Sequence, residues 1–140
     1  EGALHLCYQD GVTDSVRYMS PDLDRDELID DGVRFGTDGR EVALHVVGED
    51  CSVHFDEMSR PLVLYQDATG HQLVLSRRDA TGSWLRVTLR GPNQGDAPTA
   101  AGFYANAVSY GQEGRVSHYV YDHQVEPAQQ YLELFSTQTP

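Results

Sequence analysis

Lysine is missing from this chain: all 10 basic residues are arginine, they face 22 acids, and the formal net charge is -12. A surface so short of positive charge repels phosphate backbones and anionic headgroups, which argues against nucleic acid or an anionic membrane as the main partner. No apolar run approaches the roughly 18 residues that a membrane helix requires. Cysteine occurs only at Cys7 and Cys51, so CxxC and zinc-ribbon spacings are absent. There is also no HExxH, no GxSxG and no phosphate loop. Ser109 sits in AVSYG, which lacks the leading glycine of a nucleophile elbow. Catalysis therefore has no support in sequence motifs, and no cofactor is expected.

What remains is a chain of 140 residues, read as a single domain over 1–140. A globule of this size buries roughly two thirds of the surface that its unfolded chain exposes. Both cysteines fall in strand-like segments, and a Cys7–Cys51 disulfide is the favoured reading, with two buried free thiols as the alternative. Such a bridge would stabilise the fold by about 4 kcal/mol in the chain-entropy model. The chain begins at Glu1 without Met, as a mature exported protein does, and together these features predict a periplasmic or secreted location.

Period-two alternation between turn signals dominates the sequence. ALHLCYQ and SVRYMS read as a first hairpin, and VRFG with EVALHVV as a second, around TDGR. In 51–56, Cys51, Val53 and Phe55 share one face, while Ser52, His54 and Asp56 share another that is expected to meet water. Asp67-Ala68-Thr69-Gly70 recurs as Asp79-Ala80-Thr81-Gly82, which predicts a meander of PLVLYQ, HQLVLSRR and SWLRVTLR. In its third strand Leu85, Val87 and Leu89 are expected to point to the core. GPNQGDAPTAAG, 91–102, reads as a long loop, FYANAVSY and RVSHYVYDH as a hairpin around GQEG, and QYLELF as an edge strand. The fold class is all-β with minor α: an antiparallel sandwich or open barrel of about 8–10 strands, with one short helix near 21–31.

PDLDRDELIDDG, 21–32, holds six carboxylates: Asp22, Asp24, Asp26, Glu27, Asp30 and Asp31. Read as an EF-hand loop starting at Asp22, it places Asp24, Asp26 and Asp30 acceptably, but Glu27 stands where a glycine is needed and Val33 where a bidentate Glu is needed. Calcium on Asp22, Asp24, Asp26 and Asp30 is thus an alternative only. Read as a helix, the segment has Ser20 as N-cap, Pro21 in the first turn and Gly32 as the stop. Asp30 and Asp31 then sit at the negative end of the dipole, which a purely structural helix would avoid. Their placement suggests a cationic partner.

The histidines offer little. His118 and His123 have opposite parity, His54 and Asp56 share a face, and His5, His45 and His71 are isolated. The last hairpin says more: pairing Tyr110 with Arg115 collects Tyr104, Asn106, Val108, Tyr110, Arg115, Ser117, Tyr119 and Tyr121 on one face, and small apolar residues on the other. A tyrosine face with Arg and Asn has the composition of a protein interface.

These features point to an extracytoplasmic protein-binding module: an inhibitor or immunity-type protein that neutralises a basic secreted enzyme or toxin, such as a cell-wall hydrolase. The partner-binding residues are expected among the six acids of 21–32, the loop residues Asn93, Gln94 and Asp96, and Tyr104, Asn106, Tyr110, Arg115, Tyr119 and Tyr121. A homodimer is compatible with this reading. The alternatives are a carbohydrate-binding or Ca²⁺-dependent adhesive module, and a small hydrolase with acid and base on different strands.

Overall fold

A computed structural model describes residues 2–91, 99–110, 113–122 and 129–138, and shows antiparallel strands almost throughout. Strands β1 (Leu6–Asp10), β2 (Ser15–Ser20) and β3 (Arg25–Asp30) form one three-stranded sheet. Strands β4 (Val33–Phe35) and β5 (Glu41–Leu44) form a two-stranded hairpin. The four-stranded sheet at the centre is built from β6 (Val47–Phe55), β7 (Pro61–Asp67), β8 (Gln72–Arg78) and β9 (Trp84–Arg90). Finally, β10 (Thr99–Tyr110), β11 (Glu113–Asp122) and β12 (Gln129–Gln138) form a second three-stranded sheet.

Both faces of the central sheet are covered, and β7 is buried along its whole length. On one face Val63, Tyr65 and Val74 pack with Val16 and Tyr18 of β2 and with Val47, bordered by Cys7, Cys51, Val53, Ile29 and Trp84. The opposite face carries Leu64 and Leu73 under Ala101 and Ala105 of β10, with Leu75, Leu89 and Ala107 alongside. Small residues let β10 lie directly on the sheet: the Gln66 side chain donates to Ala101 O at 2.9 Å, and Ser52 Oγ donates to Ala105 O at 2.9 Å. A side chain at Gly102 would meet the backbone of Gln72 and Leu73 at 3.1 and 3.2 Å.

The meander forms as its repeated turns predict. Asp67 Oδ1 accepts the Gly70 N–H at 2.6 Å, and Asp79 Oδ1 accepts the N–H groups of Thr81 and Ser83 at 2.8 and 2.9 Å. Such Asx-type bonds supply the turn with acceptors that the departing strand cannot.

Several expectations are corrected. The acidic segment holds only one turn of 3-10 helix, Pro21–Leu23, and runs on as β3 instead of a helix. Opposite-charge neighbours make an acidic strand tolerable: Arg17 Nε bonds Asp26 at 3.0 Å, and Arg78 Nε bonds Glu27 at 2.8 Å. The Ser52/His54 face is only partly open to water, because β10 lies over it. His54 Nε2 contacts Ser52 Oγ at 2.9 Å and accepts the Ala107 N–H at 3.3 Å, and burial lowers its pKa. Leu85 and Val87 are about half-exposed rather than core residues, while Trp84 and Arg86 turn towards β3. Thr99–Gly102 belong to β10 and not to the preceding loop.

Close approach also constrains β6. Gly48 has φ +99°, and a Cβ there would lie 2.7 Å from the Val16 Cβ. Gly48→Ala is therefore expected to destabilise the protein by about 2 kcal/mol through strain and overpacking. Gly11, with nothing within 4 Å of its Cβ position, is the control. Urea denaturation of the two variants should separate them clearly.

Candidate functional site

Two features stand out: a solvent-facing sheet surface and a buried ionic cluster. The first lies on β10–β12. Since Ala101 and Ala105 face the core, residues of opposite orientation face outward. Asn106 is exposed, as are Arg115 on β11 and Gln130, Leu132, Leu134 and Ser136 on β12. Leu132 and Leu134 are 52% and 71% exposed, on a sheet whose strand β10 packs its other side against the central sheet. Glu133 turns the other way and pairs with Arg90 of β9 at 2.9 Å, which ties the sheet to the central one.

The expected register of the last hairpin needs correction. Tyr110 pairs with Glu113, not Arg115, and the ladder continues as Val108 with Arg115 and Asn106 with Ser117. A shift of two residues preserves the faces, so Asn106, Arg115 and Ser117 still share one side. Two bulges then interrupt β10, so that Phe103, not Tyr104, stands opposite Tyr119, and Ala100 opposite Tyr121. Positive φ at Gly102 (98°) and Tyr104 (51°) produces these breaks. Tyr104 is 72% exposed, with its N–H donated to Asp50 Oδ2 at 3.2 Å. The register pairs Tyr119 with Leu132 and Tyr121 with Gln130. Asn93, Gln94 and Asp96 lie outside the described residues, and only the backbone pairing of Tyr110, Tyr119 and Tyr121 is described.

The acids divide into two sets. Asp22, Asp24, Asp26 and Asp31 are exposed. Asp22 accepts the Leu4 N–H at 2.7 Å, and Asp26 accepts Arg17 and, at 3.3 Å, the Tyr8 hydroxyl. Glu27 is turned inward, holding Arg78 and the Trp84 indole N–H at 3.0 Å. Asp30 is no surface residue at all: its side chain is 2% exposed, so its expected role in partner binding is withdrawn. A bulge beside Ile29 explains the change, because Val16 pairs with Asp30 but Arg17 pairs with Leu28, which flips Asp30 from the outer parity to the inner one. Nor do Asp22, Asp24, Asp26 and Asp30 converge on a common point. Among the described residues no group of three or more His, Cys, Asp or Glu is arranged to hold a metal ion.

Asp30 instead anchors the ionic cluster. It accepts Arg34 Nη1 at 2.9 Å and Nη2 at 3.1 Å, Arg86 Nη1 at 2.9 Å, the Tyr65 hydroxyl at 2.8 Å and the Gly32 N–H at 3.0 Å. Burial alone would raise its pKa, but these donors outweigh burial and hold the carboxyl at about 2, against an ordinary 3.8. The Tyr65 phenol is driven far above its usual range by burial and by the Asp30 charge. Arg34 also reaches Asp67 at 2.9 Å, and Asp67 receives His45 Nδ1 at 2.7 Å. No local pattern marks this cluster, because Asp30, Arg34, His45, Asp67 and Arg86 come from five separate segments. Its carboxylates are answered by guanidinium groups within the fold, an arrangement suited to bracing strands against each other.

No protein-family model, curated protein or solved structure matches this chain. The reading of the site rests on its geometry.

Proposed function

We propose that this chain is an extracytoplasmic protein-binding module of the inhibitor or immunity type, which occludes the active site of a basic secreted enzyme or toxin such as a cell-wall hydrolase. The observation that carries the proposal is the outward face of β10–β12, where Leu132 and Leu134 stand in water beside exposed Asn106 and Arg115, with Tyr104 exposed at the β10 bulge. Large apolar and aromatic side chains ringed by polar ones are what a protein interface uses for affinity. The net charge of -12, with Asp22, Asp24, Asp26 and Asp31 exposed, favours a cationic partner and speeds its capture.

A Cys7–Cys51 disulfide joins β1 to β6. It suits an oxidising compartment, and a periplasmic or secreted location follows as part of the proposal. No helix among the described residues is long and apolar enough to cross a membrane.

The partner is to be recovered from the cell envelope and its binding followed by surface plasmon resonance. Tyr104→Ala with Leu134→Ser should raise the dissociation rate by at least about tenfold, the loss of one hot-spot contact. Neutralising Asp22, Asp24 and Asp26 together should slow association and flatten its salt dependence. Parent-like kinetics in both variants would remove this surface from consideration.

A further inference from the structure

The β4–β5 hairpin shows a second bare surface, distant in sequence from β10–β12. Val33 pairs with Leu44 and Arg34 with Ala43, after which Phe35 pairs with Glu41 across a bulge that leaves Val42 as the extra residue. Alternation sends Arg34 inward to the ionic cluster, so Val33, Phe35 and Leu44 take the outer face, and a bulge of this kind brings its extra residue to the side of the residue opposite. Phe35, Val42 and Leu44 are 66%, 65% and 60% exposed. Three large apolar side chains in water on a ribbon that spans 33–44 are unusual for a surface with no role.

A two-stranded ribbon is marginal alone, yet this one is clamped at its root from both strands. Arg34 of β4 bonds Asp30 and Asp67, while His45, directly after β5, bonds Asp67 through its side chain and the Gly32 carbonyl through its N–H at 2.9 Å. Bracing of this kind removes the cost of ordering the hairpin on contact.

Charge decides among possible occupants. Within 31–44 Asp31, Asp38 and Glu41 are exposed, and Arg40, 3.8 Å from Asp38, is the one exposed cation of that described segment. A second copy would set these carboxylates against their own kind, and an anionic bilayer would repel them. A cationic protein surface with an apolar cleft meets both the charge and the patch.

We propose that the β4–β5 hairpin is a docking prong, which inserts Phe35, Val42 and Leu44 into an apolar cleft rimmed by basic residues on a partner protein. This rests on the reading of the chain as a binding module, but not on the β10–β12 face.

The test uses the full chain, ¹⁵N-labelled, titrated with a helical peptide bearing leucines on one face and lysines on the other. Amide shifts should concentrate on 33–44, and Phe35→Ser with Leu44→Ser should weaken binding at least about tenfold with an unchanged melting temperature. Val12→Ser, at an apolar residue 93% exposed in the β1–β2 turn and outside both surfaces, should bind the peptide like the parent, and a leucine/glutamate peptide should bind at least about tenfold more weakly. As a check independent of the apolar variants, Asp31→Asn with Glu41→Gln should flatten the salt dependence. Shifts that avoid 33–44, parent-like binding by the serine variant, preferential uptake on phosphatidylcholine vesicles, or self-association that the serine variant abolishes would each overturn the prong. With the physiological partner, loss of binding by Leu134→Ser but not by the hairpin variant sinks the prong alone. If neither variant matters, the binding-module reading fails too.

Discussion

Asp30→Ala is expected to cost about 3–5 kcal/mol of unfolding free energy, the range found when one member of a buried ion pair is removed. The reason is what stays behind. Arg34 and Arg86 would keep their charges beside a cavity, the Tyr65 hydroxyl would retain only Ser76 Oγ at 3.2 Å, and the Gly32 N–H would lose its acceptor. Asp30→Asn keeps the shape but not the charge, so its loss should be smaller and should come mainly from the two guanidinium groups. Urea denaturation at neutral pH ranks parent, Asn and Ala. A parent-like Ala variant would mean that the cluster braces nothing.

The same carboxylate sets an acid limit. Its pKa is about 2 in the folded chain and 3.8 ordinarily, so the folded state holds this proton less tightly than the unfolded state does. Stability from Asp30 is therefore fully present above about pH 5 and is lost as pH falls through 3.8 towards 2, an effect of about 2 kcal/mol. Asp30→Asn should remove that portion of the acid dependence. An unchanged slope between pH 4 and 2 would place the acid sensitivity on other groups.

Such a cluster is a product of tertiary structure, and this explains what could and could not be read beforehand. Alternation and turn chemistry were enough for β1, β2 and the β7–β8–β9 meander, because each strand-turn signal is local: Asp67 and Asp79 form their turn bonds within four residues. The stretch 21–32 misled for the opposite reason. Its caps and acids look helical in isolation, but pairing of Met19 with Asp26 and Ser20 with Arg25, plus arginines from β2 and β8, outweighs local preference. Bulges are the other blind spot. One unpaired residue near Ile29 turns Asp30 inward, and two breaks in β10 move Tyr104 off the Tyr119 position, yet neither leaves a mark in the hydrophobic pattern. Within the candidate surface, Asn106 and Arg115 were legible from parity alone. Leu132 and Leu134 were missed because QYLELF carries no sign of which of its faces turns to solvent. The hairpin prong was legible as a hairpin, but its exposure depends on what packs beneath Arg34.

Reduction of Cys7–Cys51 is expected to lower stability by about 4 kcal/mol, a large share of the 5–15 kcal/mol that a domain of this kind possesses. The bridge spans 44 residues of sequence and joins β1 to β6 with Cα atoms 6.1 Å apart, so it links the first sheet to the central one. In the chain-entropy model its effect lies in the unfolded ensemble, which gains freedom once the loop opens. Two consequences follow from that location. Reduction should raise the denaturant m-value as the unfolded chain expands, and Cys7→Ser with Cys51→Ser should match the reduced parent. The Asp30 cluster braces the same two sheets but acts in the folded state. If the disulfide works only by restricting the unfolded chain, Asp30→Asn and reduction should therefore add within about 0.5 kcal/mol in a double-mutant cycle. A coupling well above that would show the bridge holding the sheets together in the native state, and the cluster would then depend on it for its alignment.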